Sequence, residues 1–352
     1  MRYRIFGRRT GLRVSELALG TGNFGMRWGH GAERAEAKRV FDRFTEAGGN
    51  FIDTADTYQF GESEELVGDF VASDRDYFVL ATKYALGTTA TEGISRTGNS
   101  RKNMVRSVEG SLKRLKTDRI DLYWAHFADA VTPMEEIARA FDDLVRSGKI
   151  LYAGLSNFPA WRIARADLLA ELRGWAPIAG IQVEYSLAQR TADRELLPMV
   201  EGLGLGATLW SPLGGGFLTG KYRLSDEGRL NTSLSGLVHK EKTAQETAIL
   251  NAVLAIANEV GASPTEIAIA WLLHKAHRST TTLIPILGSR TREQLDATLG
   301  ALAVKLSQEQ IASLDETSAI PLGTPHEQIN GSATAIAGGQ RELLDLPTIP
   351  VV

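Results

Sequence analysis

The sequence predicts an α/β fold, a closed (β/α)8 (TIM) barrel with a β-hairpin at its N-terminus. Short apolar runs alternate with segments of helical spacing, and about eight strands can be counted. The length of 352 residues accommodates such a barrel with loop insertions. The competing open, doubly wound sheet requires G-x-G-x-x-G directly after its first strand, and residues 20–25 (GTGNFG) only approximate this pattern, with no amphipathic helix following. We therefore favour the barrel.

The elements follow one another in the order that a barrel requires. The hairpin is predicted from two partly alternating segments, residues 3–7 and 12–15, around GRRTG. Barrel strands are predicted near residues 17–20, 50–53, 77–82, 120–125, 150–155, 180–183, 206–210 and 282–286. Helices are predicted near residues 32–47, 62–72, 101–116, 133–147, 159–173, 192–203 and 291–303, with two more, 242–260 and 264–276, before the last strand.

Two long loops interrupt this alternation, residues 84–100 after the third barrel strand and residues 213–238 after the seventh. Long loops on one face of a rigid scaffold are where ligands are usually held. We assign residues 1–316 to a single barrel domain. Residues 317–352 form a C-terminal tail without clear periodicity, which either is mobile or folds over the barrel mouth.

Composition narrows the class of partner. The net charge of -3 offers no overall attraction to nucleic acid or to an anionic membrane, so we expect a small-molecule substrate. The chain has no cysteine, which excludes disulfides and thiol nucleophiles, and we find no metal-ligand cluster. The Arg-rich residues 1–13 do not resemble a signal peptide, and no apolar run reaches transmembrane length, which favours a cytoplasmic location. The sequence does not indicate the oligomeric state.

Ionisable residues stand at the ends of three predicted strands. Asp53, Lys83 and His126 each close an apolar run, and Tyr58 follows Asp53 by five residues. The C-terminal ends of parallel barrel strands meet at one face, where chemistry is done, so we expect these four side chains to converge. Each also has a structural alternative: a salt bridge for Lys83 and Asp53, and rim or core packing for Tyr58 and His126.

The residue types indicate a reaction class. An unperturbed phenol, with a pKa of about 10, releases its proton reluctantly at neutral pH, whereas a neighbouring ammonium stabilises the phenolate. The Lys83–Asp53 pair would therefore make Tyr58 a competent acid or base, and His126 would bind a substrate oxygen. There is no nucleophile elbow and no P-loop. Protonation of a carbonyl oxygen fits what remains, with hydride from a nicotinamide reaching the carbon.

Several segments resemble successive blocks of the aldo-keto reductase superfamily, most of all its bacterial members related to the potassium-channel β subunits. The similarity runs in order from about residue 12 to residue 316, through GNFIDTADTYQFGESEELVG, VLATKY, SLKRLKTDRIDLYWAH, GKILYAGLSN, IQVEYSLAQR, ATLWSPLGGGFLTGKY and ILGSRTREQL. This resemblance implies a (β/α)8 barrel, NADP(H) bound in extended form and a catalytic tetrad of Asp53, Tyr58, Lys83 and His126.

The resemblance also implies a cofactor groove. It places the pyrophosphate beneath the loop after the seventh strand and the carboxamide near Ser156, Asn157 and Gln182, whose alternative role is loop capping. The predicted cofactor contacts are Thr21, Gly22, Asp53, Ser156, Asn157, Gln182, Trp210, Ser211, Pro212, Leu213, Gly215, Lys221, Arg229, Gly288, Ser289, Arg290 and Gln294. The glycine triplet at 214–216 is on its own equally typical of a surface loop.

The last strand is followed by a helix whose free N–H groups favour an anion. Arg290 adds a forked cation suited to a 2′-phosphate, which favours NADP(H) over NAD(H); capping by Ser289 with a solvated Arg290 is the alternative. Family members often carry Glu-Asn where this chain has Ala297-Thr298, which predicts altered adenine contacts.

Aromatic residues near the strand ends suggest the substrate. Trp28, Tyr84 and Phe127, with Trp161, either line a pocket for ring-bearing carbonyls or pack at the rim. We therefore predict an NADP(H)-dependent oxidoreductase that interconverts aldehydes or ketones and alcohols. The alternative is a regulatory subunit that binds NADP(H) with little turnover.

Overall fold

The computed structural model describes residues 1–89, 91–223, 236 and 238–345. Two antiparallel strands, β1 (Tyr3–Ile5) and β2 (Arg13–Ser15), form the predicted N-terminal hairpin. Eight parallel strands then close into a barrel in chain order, so the predicted fold is confirmed. They are β3 (Ala18–Gly20), β4 (Phe51–Asp53), β5 (Val79–Tyr84), β6 (Ile120–Ala125), β7 (Ile150–Ser156), β8 (Ile178–Glu184), β9 (Gly206–Trp210) and β10 (Leu283–Leu287).

Helices cover the outside of the barrel. They are α1 (Arg34–Glu46), α2 (Glu62–Val71), α3 (Arg101–Leu115), α4 (Met134–Arg146), α5 (Ala160–Arg173), α6 (Leu196–Leu203), α7 (Ala244–Val260), α8 (Pro264–Arg278), α9 (Arg292–Leu299), α10 (Gln308–Thr317) and α11 (His326–Ile336). None of these described helices has both the length and the apolar character needed to cross a membrane.

Most predicted bounds agree with the structure to within about two residues, and two predicted segments divide differently. The predicted helix 192–203 is a 3-10 turn, Thr191–Asp193, followed by α6. The predicted helix 291–303 is α9 followed by a 3-10 turn, Gly300–Ala303. The third barrel strand begins at Val79 and continues to Tyr84, which moves the start of the following loop.

Side-chain parity separates two apolar layers. In β5, Val79 and Ala81 belong to the cluster inside the barrel, whereas Leu80 and Tyr84 belong to the cluster between barrel and helices. Neighbouring residues of a strand point to opposite faces, so Lys83 shares the inward face with Ala81. Alternate residues at the strand ends therefore point towards the central axis of the barrel.

The hairpin closes the N-terminal end of the barrel. Phe6 is fully buried there, with its ring edge-on to Phe51 at 5.9 Å and to Trp124 at 6.4 Å. A Cβ atom at Gly180 or Gly206 would approach the Phe6 ring to 2.7–2.8 Å, so these strands need glycine where they cross the plug. Asp53 and Lys83 lie at the opposite, C-terminal end of their strands.

The described part of the tail lies beside the segment that precedes α6. Ser318, at the end of α10, is buried and accepts a hydrogen bond from Arg190 Nη1 at 2.7 Å. Further on, the guanidinium of Arg194 donates to the Pro321 carbonyl, and His326 Nε2 lies 3.2 Å from Glu195 Oε1. These contacts fasten the start of α11 to the outside of the barrel.

Candidate active site

Lys83 is the centre of a buried polar cluster at the C-terminal end of the barrel. Its ammonium, fully enclosed, donates to Asp53 Oδ2 at 2.5 Å, to the Thr54 carbonyl at 2.7 Å and to the Tyr58 hydroxyl at 3.1 Å. An ammonium has three donors, so these contacts satisfy it completely. The side chains of Lys83, Asp53 and Tyr58 therefore meet, as the strand order predicted.

Electrostatics keeps Lys83 protonated despite its burial. Burial is the largest single effect and lowers the pKa of this ammonium, but the charges and hydrogen bonds of Asp53 and Tyr58 together outweigh it, so the pKa of Lys83 lies above its ordinary value. Asp53 is held on its other side by Gln182, whose Nε2 donates to Asp53 Oδ1 at 2.9 Å. Both carboxylate oxygens thus have partners, and the Lys83 ammonium, held by Asp53, presents its positive charge to Tyr58.

Tyr58 opens a short 3-10 turn, Tyr58–Gly61, between β4 and α2. Its ring centroid is 4.6 Å from Lys83 Nζ, and its ring stands edge-on to the imidazole of His126 at 5.9 Å. A Cβ atom at Gly22 would lie 3.7 Å from the Tyr58 ring, so this predicted contact residue borders the ring. Thr21 is buried beside it and donates its hydroxyl to the Asp53 carbonyl at 3.2 Å.

His126 follows β6 and lies at the same end of the barrel. Burial lowers its pKa well below the ordinary value of 6.5, and the positive charge of Lys83 lowers it further, so the imidazole is neutral. Among the described residues, its buried Nδ1 atom has no hydrogen-bond partner. A buried polar atom without a partner, adjacent to Tyr58, is suited to a ligand oxygen or amide.

Aromatic side chains border the Tyr58 ring. Trp28 stands edge-on to Tyr58 at 6.1 Å and to Phe60 at 6.3 Å, and Phe127 lies 4.9 Å from the His126 ring. Trp28 is half-buried and Phe127 is exposed, so both are placed to meet a ligand.

Tyr84 does not line this site, and its predicted role in the substrate pocket is wrong. It is fully buried, stacks on Tyr123 at 5.3 Å and donates its hydroxyl to the Asn99 carbonyl at 3.3 Å. Its neighbour Lys83 points into the barrel, so Tyr84 must point towards the helices. Trp161 lies on the first turn of α5 with 68% of its surface exposed.

The predicted carboxamide contacts sit on adjacent strand ends and bind one another. Asn157 adopts a left-handed φ of 56°, donates to the His126 carbonyl at 3.0 Å and accepts from Trp210 Nε1 at 3.1 Å. Ser156 is buried and accepts from Asn157 Nδ2 at 3.0 Å. Asn157 thus links the half-buried Trp210 ring to the His126 backbone, whereas the Gln182 side chain binds Asp53.

The loop after β9 forms a tight turn that is closed by hydrogen bonds within the loop. Ser211 has a φ of 55° and accepts from the Gly215 amide at 3.0 Å, and Gly214, Gly215 and Gly216 all have positive φ. Pro212 is buried and Leu213 half-buried, and Lys221 lies over the Tyr222 ring at 4.8 Å. The amides of Gly214, Gly215 and Gly216 bond within the loop, to the Ser211 carbonyl, the Ser211 hydroxyl and the Leu213 carbonyl, and these bonds fix the course of the loop. Arg229 lies outside the described residues.

The segment before α9 also presents a cation. Thr291, not Ser289, caps α9, accepting from the Gln294 amide at 3.3 Å, while Gln294 Oε1 accepts from the Arg290 amide at 2.9 Å. Ser289 is buried, and Gly288 accepts at its carbonyl from Asn23 Nδ2 at 2.8 Å. The exposed guanidinium of Arg290 makes no hydrogen bond or ion pair with the described residues.

Near the predicted adenine contact, Thr298 is buried. Its hydroxyl donates to the Leu295 carbonyl at 2.8 Å. Thr298 therefore supports α9 from within instead of facing a ligand.

Sequence reasoning missed three residues that shape the site. They are Thr54, whose carbonyl binds Lys83; Asn23, which anchors Gly288; and Gln59, which lies next to Tyr58 in the chain. In the sequence these residues are recognisable only as polar residues near a predicted strand end, and that position does not show which groups they bind. Within the described part of the chain, no group of three or more His, Asp or Glu residues is arranged to hold a metal ion.

The fold and this site define a class. A family model described as "Aldo/keto reductase family" matches residues 16–319. The chain therefore belongs to the aldo/keto reductase family and is an oxidoreductase, as the sequence predicted.

Several curated proteins are similar over nearly their whole length. The chain is 36% identical over 332 residues to norsolorinic acid reductase stcV of Emericella nidulans, covering 92% of this chain and 83% of that protein. It is 38% identical over 336 residues to the uncharacterized oxidoreductase YrpG of Bacillus subtilis, covering 93% and 99%. It is 35% identical over 346 residues to the NADP(+) aryl-alcohol dehydrogenase of Phanerodontia chrysosporium, covering 92% and 88%.

Members of this family generally use NADH or NADPH. The residues present fit such a cofactor in three respects: Trp210 offers a half-buried indole, and neither the His126 Nδ1 atom nor the Arg290 guanidinium has a hydrogen-bond partner in the described part of the chain. An indole stacks on a nicotinamide ring, and a guanidinium binds a phosphate in a bidentate manner.

Proposed function

We propose that the chain catalyses reversible reduction of an aldehyde or ketone to an alcohol with NADP(H), using Tyr58 as the general acid and base. The observation that carries this proposal is the position of Lys83 Nζ, 2.5 Å from Asp53 Oδ2 and 3.1 Å from the Tyr58 hydroxyl. A structural salt bridge would not require a tyrosine hydroxyl on the third donor of the ammonium.

A nicotinamide bound beside Trp210 and His126 would supply the hydride to the carbonyl carbon during reduction and would accept it from the alcohol carbon during oxidation. Tyr58 gives its hydroxyl proton to the carbonyl oxygen during reduction and takes it back during alcohol oxidation. The phenolate that forms lies against the Lys83 ammonium, which stabilises its charge, and Asp53 keeps that ammonium in place. The neutral imidazole of His126 donates a hydrogen bond that orients the carbonyl.

A preference for NADP(H) rests on Arg290. Its exposed guanidinium follows β10 and precedes the N-terminus of α9, where the positive end of the helix dipole also favours an anion. A 2′-phosphate would meet both features, whereas the hydroxyl of NAD(H) would leave the guanidinium unpaired. A relative, the aryl-alcohol dehydrogenase of Phanerodontia chrysosporium, carries NADP(+) in its name, which supports the same preference.

The aromatic border supports a flat, ring-bearing substrate. Trp28 and Phe127 flank the Tyr58 and His126 pair, and aromatic rings bind one another through edge and face contacts. One relative is named an aryl-alcohol dehydrogenase and another a norsolorinic acid reductase. We therefore propose aryl aldehydes, aryl ketones and the matching alcohols as the substrate class.

Replacement of Tyr58 by Phe tests the assignment. The variant loses only the hydroxyl, so turnover of an aryl aldehyde, followed by NADPH absorbance, should fall about 10²- to 10⁴-fold while NADPH binding stays unchanged. Tyr3→Phe is the matched control, because Tyr3 lies exposed in the N-terminal hairpin. Full turnover by Tyr58→Phe would refute the proposal. Little turnover by the unmodified chain, with NADPH still bound, would indicate the regulatory alternative.

A further inference from the structure

A glycine-rich loop carries Trp28 to the Tyr58 ring. We call residues 21–33, between β3 and α1, the Trp28 loop. It contains Gly22, Gly25, Gly29 and Gly31, of which the last three have positive φ. A segment so rich in glycine has little conformational preference of its own, so the position of the indole depends on tertiary contacts.

One buried side chain supplies contacts at three points of this loop. Gln59 Oε1 accepts from the Trp28 amide at 2.8 Å, and Gln59 Nε2 donates to the His30 carbonyl at 2.9 Å and to the Gly22 carbonyl at 3.2 Å. Gln59 is fully buried, so these bonds form away from water. The carboxamide therefore uses its acceptor and both of its donors on the Trp28 loop.

The backbone at Gln59 adopts a conformation that favours glycine. Gln59 and Phe60 have left-handed φ values of 50° and 53°, a region that disfavours residues other than glycine. Glycine would make this turn more easily, but it would lose all three hydrogen bonds. The glutamine is thus retained at a position where the turn alone favours glycine.

These bonds also fix the aromatic border of the site. Gln59 follows Tyr58 directly, so one residue belongs to the turn that carries Tyr58 and also binds the Trp28 loop. The result is an indole edge-on to Tyr58, at 6.1 Å and an interplanar angle of 81°. Displacement of the loop would remove this edge while leaving Lys83 and Asp53 in place.

We propose that Gln59 is a positioning residue for aryl substrates: it holds Trp28 against Tyr58 and thereby sets the preference for aromatic over aliphatic carbonyls. This inference rests on the proposed function, in which Tyr58 protonates the substrate oxygen. Gln59 acts through Trp28 and has no chemical role of its own.

A second attachment makes the proposal testable in a folded protein. Glu62 Oε2 accepts from the amides of Met26 and Arg27 at 2.8 and 3.0 Å, which ties the middle of the loop to the start of α2. Loss of Gln59 should therefore release the segment around Trp28 without detaching the whole loop.

The experiment compares benzaldehyde with propanal in the Gln59→Gly variant, which removes the side chain and relieves the left-handed backbone. We expect the ratio of kcat/KM for benzaldehyde to that for propanal to fall about tenfold, mainly through a higher KM for benzaldehyde. A change of this size is close to the net contribution of one hydrogen bond. NADPH affinity should be unchanged. Gln308→Ala is the matched control, because Gln308 is exposed on α10.

A double-mutant cycle shows whether Gln59 acts through Trp28. In Trp28→Ala the benzaldehyde preference should already be lost, and adding Gln59→Gly should change the ratio no further. A purely structural effect of Gln59 would lower both substrates equally and would add to that of Trp28→Ala. Trp28→Ala also tests the idea independently if Gln59→Gly does not fold, since an unchanged ratio in Trp28→Ala overturns the proposal.

Hydrogen exchange of the full chain, without cofactor or substrate, gives a readout besides activity. The Trp28 amide donates to Gln59 and should be protected, and its exchange should accelerate in Gln59→Gly but not in Gln308→Ala. An unchanged benzaldehyde-to-propanal ratio in folded Gln59→Gly, with Tyr58→Phe inactive, overturns this inference alone. An active Tyr58→Phe overturns the proposed function instead.

Discussion

Lys83 and Asp53 form an ion pair that is enclosed on all sides, with Nζ 2.5 Å from Oδ2 and almost no exposed surface on either side chain. Removing charges from water is costly, and the cost is recovered only while both partners are present. The pair lies at the barrel axis, where apolar residues of similar volume would be at least as stable. The Lys83 ammonium also donates to the Tyr58 hydroxyl.

Single removal of either partner should therefore destabilise the fold more than removal of both. Lys83→Met leaves a buried carboxylate and Asp53→Asn leaves a buried ammonium, each at a cost of about 3–5 kcal/mol in the free energy of unfolding. The double variant leaves neither charge and should recover part of that loss. Urea unfolding of the three variants measures this, and equal stability of single and double variants would contradict it. All three should lose turnover.

The neutral state of His126 predicts a pH profile. Burial and the charge of Lys83 hold the pKa of His126 well below 6.5, so its protonation should produce no inflection in kcat/KM near pH 6.5. His126→Ala removes the hydrogen-bond donor and should lower kcat about 10²- to 10³-fold, the usual effect of losing one oxyanion donor. An inflection near pH 6.5 in the unmodified chain that disappears in His126→Ala would show that the imidazole titrates normally.

Arg290 should discriminate between the two dinucleotides. Arg290→Ala should weaken NADPH binding about tenfold or more while leaving NADH binding nearly unchanged, because a charge-assisted contact contributes about 1.5–3 kcal/mol. Fluorescence titration with both cofactors measures the ratio. Arg292→Ala is the control, since Arg292 lies two residues away and is already 3.7 Å from Asp296. Equal losses for NADPH and NADH would refute recognition of the 2′-phosphate by Arg290.

Asp56, two residues before Tyr58, predicts a pH dependence of stability. Burial, and next the charge of Glu64, raise its pKa from 3.8 to about 8, while Arg114 and the Thr57 amide oppose the rise. Between these two pKa values the folded chain holds a proton that the unfolded chain has released. Stability therefore falls as pH rises through this window, by about 1.4 kcal/mol per pH unit from this group, and is fully retained below pH 3.8.

The Asp56→Asn variant should lack this contribution. Its free energy of unfolding, compared with that of the unmodified chain, should rise steadily between about pH 4 and pH 8. Urea unfolding at several pH values measures the difference in slope. Asp345→Asn, in the exposed part of the tail, is the control and should show no such trend. Parallel stability curves for Asp56→Asn and the unmodified chain would mean that Asp56 is ionised in the fold.

Much of the site could be predicted from sequence because barrel topology converts order along the chain into position in space. Apolar runs located the eight strands, and strand ends at Asp53, Lys83 and His126 had to meet at one face. The error at Tyr84 was avoidable in principle, because adjacent residues of one strand cannot both point into the barrel. The family resemblance added the cofactor residues, which strand ends alone did not distinguish from loop caps.

The sequence by itself determined the barrel, its N-terminal hairpin and the set of residues at its C-terminal face, since these depend on local periodicity and strand order. Only the tertiary structure decided which polar groups bind one another. Gln182 meets Asp53 across 129 positions of the chain, Phe6 plugs the barrel against Gly180 and Gly206, and Gln59 holds the Trp28 loop. A hydrogen bond depends on distances of tenths of an ångström between segments that fold together from distant parts of the chain, and no local pattern encodes them.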